Sequence, residues 1–332
     1  MDRHRFTLPR DHLLDELLDV AARTGPEYGG GLSSHLPMAL QALRALGADD
    51  ARMRDFLGRW LPRLEARPDV ASAQLHGPWQ DRRGDRAAWA PLASHFGEAI
   101  DQHGSDVVLR RVLPALVDGV GGAAFHGLIR VAHATEAGHR RELASALAYW
   151  ASCWTPLPSG GGGGRLDFEP WRDTLLAAPT LPRPPGGLIV DRIRRIVHTP
   201  AYDALVGRLP GSTEVLSGLA ATAIDRYRAS RNFTVLHLVT GSRAMRVLLP
   251  WLDDPATAIG HFADAFAAAY LSCGIDPAAT TLPPTGLGWD EVVARAIASD
   301  DEHVIKLVHA CRDEARVRGG EAWLHAAGLV VA

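Results

Sequence analysis

Lysine is nearly missing from this chain: of 35 basic residues other than histidine, 34 are arginine and only Lys306 is lysine. A bias that exchanges lysine for arginine removes every lysine whose job is only to be positive. Arginine stays charged at any working pH, whereas a buried lysine can lose its proton and act as a nucleophile. Lys306 is therefore the residue to explain. Cysteine is scarce as well. Cys153, Cys273 and Cys311 are far apart and form no CxxC pair, which excludes a disulfide frame and a thiolate metal site and predicts reduced, cytoplasmic thiols. No apolar run approaches the roughly 20 residues a membrane span needs. The opening MDRHRFTLPRDHLL lacks the apolar core of a signal peptide. Charge of one sign is missing too. A net charge of −3 makes no case for nucleic acid or an anionic membrane as partner.

Alternating β-branched runs are almost absent. LIV at 188–190 and LVV at 329–331 are too short to build a sheet. YGGG at 28–31 and SGGGGG at 159–164 are not the GxGxxG turn of a nucleotide fold. What is present is helical periodicity. DHLLDELLDVAAR, from Asp11, carries an apolar stripe at 13, 14, 17, 18 and 20. Ser33-Ser34 reads as the cap of SSHLPMALQALRALGA, with Pro37 in the first turn and Gly47 as the stop. Further helices are predicted from Asp50 and over 104–117, 123–137, 139–153, 187–198, 212–229, 232–249, 256–272, 288–298, 300–316 and 319–328. The expectation is an all-α chain, one large helical bundle over 1–332. Two halves, 10–153 and 187–330, are joined by a Pro/Gly-rich loop over 154–186 that serves as a connection or as a lid.

Fifteen histidines are present. Nine of them, His4, His12, His76, His95, His103, His139, His198, His261 and His325, read as solvent or structural residues. Four others each sit in the first turn or body of a separate apolar helix: His35, His126, His237 and His303. Gly241, one turn beyond His237, reads as room beside the imidazole. His126, Arg130 and His133 share a helix face. His303 and Lys306 are i, i+3 neighbours, and Ser299 with Glu302 reads as a capping box one turn ahead of that pair. Burying four imidazoles among helices is costly unless each finds a partner. One shared metal ion satisfies several at once, as helical bundles do with inward-facing ligands. Imidazole-rich sets without cysteine suit iron, zinc, copper or nickel. A neutral lysine beside such an ion can take up carbon dioxide and become a carboxylate donor. Lys306 as an exposed lysine, or in a buried ion pair with a neighbouring acid, is the simpler alternative. His133 and His309 stand as reserve ligands, and tryptophans 150, 154, 171, 251 and 289 as candidates to line a pocket.

Four blocks, GLSSHLPMALQALRALGA, AAFHGLIRVAHATEAG, LHLVTGSRAMRVLLPWL and DDEHVIKLVHACRDE, taken in order, resemble the questin oxidase-like family over roughly residues 10 to 316. That family oxidises anthraquinones and related aromatic polyketides, opening a ring by oxygen insertion. The resemblance implies a helical non-haem iron oxidoreductase that uses dioxygen on a small aromatic substrate. It puts ligand roles on His35, His126, His237 and His303, and makes Lys306 a carboxylated ligand and catalytic residue. It also implies NADPH as reductant. No nucleotide-binding motif is seen here, so a separate reductase is the alternative donor. Two positions depart from the family pattern. Ser34 stands where Asn is expected, and Arg130 where a second histidine is expected. Arg130 then reads as a catalytic-site cation suited to a phenolate or carboxylate. A zinc-type hydrolase, a Schiff-base lysine, an acid–base cluster of His303, Lys306 and His309, and a non-catalytic helical protein remain the other classes.

Overall fold

Short polar side chains start most of the long helices. Asp11, Asp49, Ser212, Asn232, Asp254 and Asp301 each accept a hydrogen bond from a first-turn backbone N–H that has no partner inside its helix. In the computed structural model, which describes residues 11–66, 75–158, 164–181 and 187–332, these caps open an all-α architecture. Among the described residues about 70% are helical, in sixteen α-helices and seven short 3-10 turns, and the single sheet has two strands. Those strands, Glu27–Tyr28 and Leu32–Ser33, pair antiparallel around Gly29, Gly30 and Gly31, all at positive φ. The YGGG stretch is thus a hairpin turn. Among the described residues, no helix is long and apolar enough to cross a membrane. His4, residues 159–163 of the glycine run and residues 182–186 lie outside the described residues.

Four helices form a closed ring. Leu36–Leu46 packs on His126–Ala137 and on Glu302–Arg318, and Phe233–Leu248 packs on the same two. Outer helices support this ring. Arg140–Ser152 backs His126–Ala137 and is itself covered by Trp89–His103. Thr213–Ser230 and Pro255–Leu271 back Phe233–Leu248, and Ala322–Val331 backs Glu302–Arg318. The apolar cluster running through all of them extends from Leu13 to Ala327. Burying a Leu or Phe side chain in it is worth about 1.5–3 kcal/mol each.

Several expected boundaries move. Three helices were not anticipated, Trp89–His103, Phe168–Ala177 and the short Pro200–Asp203, and the second falls inside the expected central loop. Pro170 sits in the first turn of Phe168–Ala177, where its missing N–H costs nothing. Residue 35, not Ser33 or Ser34, caps Leu36–Leu46; Ser33 Oγ instead meets Tyr149 OH at 2.6 Å. Asp301, not Ser299, caps Glu302–Arg318, so that helix begins immediately before His303. The predicted helix over 123–137 begins only at His126, because Ala123, Ala124 and Phe125 have positive φ.

Close approaches between helices are set by glycines. A Cβ on Gly127 would stand 2.8 Å from Trp150, so His126–Ala137 and Arg140–Ser152 meet there almost backbone to side chain. The nearest neighbours of a Cβ on Gly241 would be Phe125 and Phe262 at an ordinary 3.5–3.6 Å, not the expected imidazole. Gly127→Ala is expected to lower stability by about 1–3 kcal/mol through overpacking. Urea denaturation checks this, and an unchanged midpoint would contradict the close approach.

Candidate metal centre

Each helix of the central ring contributes one histidine to its inside. His126, His237 and His303 are helical residues, and His35 is the N-cap of its helix. The four imidazoles close into a circuit. Ring centroids are 4.6 Å apart for His35 and His126, 4.8 Å for His126 and His237, 5.6 Å for His237 and His303, and 4.6 Å for His303 and His35. Lys306 lies one turn inside His303 and is 2% exposed. Among the described residues, no carboxylate pairs with its ammonium. Both simpler expectations for it, the exposed lysine and the buried ion pair, are therefore not met.

The outer nitrogens of the four rings all face acceptors. His35 Nδ1 is 3.2 Å from Glu302 Oε1, His126 Nδ1 is 2.5 Å from the Ala123 carbonyl, and His237 Nδ1 is 2.8 Å from the Phe233 carbonyl. His303 Nδ1 faces Asp301 at 3.4 Å and Glu302 at 3.6 Å. Acceptors on every Nδ1 select the tautomer with the proton there, which leaves each Nε2 as a lone pair. Three of those lone pairs come close to one another through His126. His35 Nε2 and His126 Nε2 are 2.7 Å apart, and His237 Nε2 is 3.2 Å from His126 Nε2. His303 Nε2 is buried with no hydrogen-bond partner. Two lone pairs at such distances repel unless a cation or a proton lies between them. A metal with nitrogen bonds of 2.0–2.1 Å at right angles puts neighbouring ligand atoms about 3 Å apart, so the donor set fits a metal ion.

Electrostatics agree. Burial is the largest cause pushing all four histidines below their usual pKa range, and His126 is lowered to about 3. The Lys306 charge lowers every one of them further. Burial likewise brings Lys306 down to about 8, against the opposing pull of Glu302 and then Asp301. A neutral amine is thereby accessible near neutral pH.

A cavity of about 260 Å³ opens onto the rings of His35, His126 and His303. Its wall is mostly apolar, with Tyr28, Leu32, Ala124, Leu188 and Phe233. Leu32, Leu188 and Phe233 are exposed, as is Arg86, and buried Arg192 and Glu302 add charge to the wall. Phe233 packs over both His237 and His303, with ring centroids 4.8 and 4.6 Å away. A larger groove of about 590 Å³, beside Asp15, Asp101 and His139, touches none of the four rings.

Other expected site residues go elsewhere. Arg130 is buried and turned away from the cavity. Its Nε and Nη2 donate to Glu142 at 2.7 and 2.9 Å, and Nη2 also donates to Ser145. Buried Glu142 neutralises it, so the cation expected beside the substrate is not supplied from this position. His133 and His309 stay outside the quartet and pair with each other at 5.3 Å, with His133 Nδ1 on Gln41 Oε1 at 2.6 Å. None of the tryptophans lines the cavity among the described residues. Ser34, at the other departure, has a buried hydroxyl without a partner, and His35 is oriented by Glu302 instead. Glu302 is the residue that sequence reasoning underrated. Read as a cap, it reaches two of the ligand rings and the cavity, and ligand atoms of His35, Glu302 and His303 all lie within 4.8 Å of one another. Its place directly before His303 is the signal that was available.

Comparison with family models matches the questin oxidase-like family over residues 32–172 and 211–311. The chain belongs to this family, which implies an oxidoreductase. No curated protein matches it.

The buried histidines make a pH prediction for metal-free protein. Their folded pKa values lie below the unfolded value near 6.5, so the unfolded chain binds more protons between the two. Stability is full above pH 6.5 and falls as pH drops below it, by about 1.4 kcal/mol per pH unit for each such histidine. Urea midpoints measured from pH 7.5 to 5 check this. A flat profile would mean that the rings are solvated.

Proposed function

We propose that this member of the questin oxidase-like family is a non-haem iron oxidoreductase acting with dioxygen on a small, flat, aromatic substrate. Oxidative ring cleavage is the reaction class. The observation that supports this reading is the convergence of imidazole lone pairs whose Nδ1 atoms are all committed elsewhere. His35, His126, His237 and His303 would hold the ion, and Lys306 would complete the set.

Lys306 cannot do so as an ammonium, since like charges repel. As a neutral amine it adds to carbon dioxide: the nitrogen forms a bond to carbon, a proton leaves, and a carboxylate results at the end of a long arm. Arginine cannot follow that route, which accounts for a lysine surviving here alone. Ferrous iron, when bound, supplies the electron-transfer chemistry that dioxygen needs to react with a closed-shell organic molecule. The chain supplies the rest. Glu302 holds the His35 ring by its Nδ1 proton. Phe233 covers two rings from the solvent side, Leu32 and Leu188 offer an apolar substrate surface to pack on, and Arg86 and Arg192 are the polar anchors of the same wall. Electrons would come from NADPH directly or through a separate reductase, distinguished by whether purified protein with substrate consumes NADPH. Three free, buried cysteines accord with a cytoplasmic setting.

One observation favours a second reading. His35, Glu302 and His303 form a compact set of two imidazoles and a carboxylate, the ligand types of hydrolytic zinc sites. Substitution separates the two. With four histidines and Lys306 as ligands, His126→Ala and Lys306→Arg should each lower iron content at least tenfold, measured by elemental analysis of protein purified without chelator. Full zinc occupancy in His126→Ala would support the smaller set. Equal occupancy in wild type and Lys306→Arg would remove Lys306 from the site, and a wild type that takes up no metal would end the proposal.

A further inference from the structure

Glycine and alanine are exchanged relative to their usual places in the segment GGAAF, Gly121 to Phe125. Gly121 has φ −75°, a conformation that any residue adopts. Ala123 (46°, 38°), Ala124 (55°, 49°) and Phe125 (67°, 2°) follow in the left-handed region, where a Cβ crowds the carbonyl. Among the described residues, Arg231 is the one other non-glycine at positive φ. The glycines answer to space: a Cβ on Gly122 would stand 2.4 Å from the Cys153 carbonyl, and one on Gly121 would stand 3.2 Å from Ala265. The strained residues are held by packing. Phe125 is fully buried, lies 5.8 Å from Phe262 and sits over Gly241 on the helix that carries His237.

The left-handed turn has one local result. The Ala123 carbonyl accepts both the backbone N–H and the Nδ1–H of His126. His126 is the ring through which the His35 and His237 lone pairs are linked. Ala123 and Ala124 also line the cavity beside it. Backbone strain persists where surrounding structure enforces it, and an observed outlier beside a site is a reason to look for a function.

We propose that Ala123, Ala124 and Phe125 form a strained positioning turn that locks the His126 tautomer and aims its Nε2 into the ring of histidines. Ala123 is the positioning residue, acting through its carbonyl. Phe125 is the wedge that keeps the turn left-handed. The proposal rests on His126 being a metal ligand. It separates holding the ring from holding the fold, because glycine at 123 and 124 accepts the same φ without strain and also opens conformations closed to alanine, which loosens the carbonyl while Phe125 still packs.

The test is the double variant Ala123→Gly/Ala124→Gly, with Ala123→Gly alone as its milder form. Two quantities are read: the thermal midpoint of metal-free protein, and the affinity for cobalt(II) titrated against a competing chelator. The expected result is an unchanged or raised midpoint with cobalt affinity weakened roughly tenfold. Nitrogen-15 NMR of metal-free protein should show His126 moving from a single Nδ1–H tautomer to a mixture. Unchanged affinity and an unchanged tautomer would overturn the proposal, as would midpoint and affinity falling together, which marks a merely structural turn. If wild type binds no cobalt, the metal reading fails; the NMR arm still decides whether the turn sets the tautomer.

Discussion

Lone pairs repel, and burial removes the water that would otherwise separate them. That constraint governs this molecule. His35 and His126 place Nε2 atoms 2.7 Å apart in a space where burial disfavours any added proton on the rings. Each opposite nitrogen is held by a carboxylate or carbonyl, so the rings cannot relieve the repulsion by exchanging tautomers. In the proposed site a cation would lie between these lone pairs, and the lowered histidine pKa values would keep protons from competing for them.

The fold serves this arrangement by closing four helices into a ring with one imidazole from each. Other polar groups in the ring have neighbours of their own, although the buried His309 Nδ1 has no hydrogen-bond partner among the described residues. His133 pairs with Gln41 and with His309, while buried Arg243 bridges Glu136 and Asp313 across three helices. Arg130 is neutralised by Glu142 on the side facing the supporting helices. Among the described residues no carboxylate pairs with buried Lys306, and its charge opposes all four imidazoles.

Rigidity around the quartet comes from elements that look unfavourable one at a time. A left-handed turn of non-glycine residues costs about 1–2 kcal/mol per residue. It is repaid by the packing of Phe125 and by the fixed carbonyl at His126. The cavity is the other half of the site: exposed Leu32, Leu188 and Phe233 give it apolar surface, and Arg86, Arg192 and Glu302 place charge on the same wall.

Much of this was legible from the residues alone. Helical periodicity and the lack of strand-length β-branched runs pointed to an all-α chain. Four histidines on separate apolar helices, with one lysine three residues from the last, named the candidate ligands. Those signals are local, and spacing along a helix carries them. What folding decided is relational. Arg130 shares a face with His126 and His133, yet which way its guanidinium turns depends on Glu142 from the next helix. Glu302 reads as a cap until His35, 267 residues away in the chain, arrives beside it. The left-handed turn at Ala123 contradicts its own local preference and exists because Phe125 is packed against residues far away in sequence. Propensity acts on neighbours in the chain, while convergence on a shared point needs the tertiary packing that brings distant helices together.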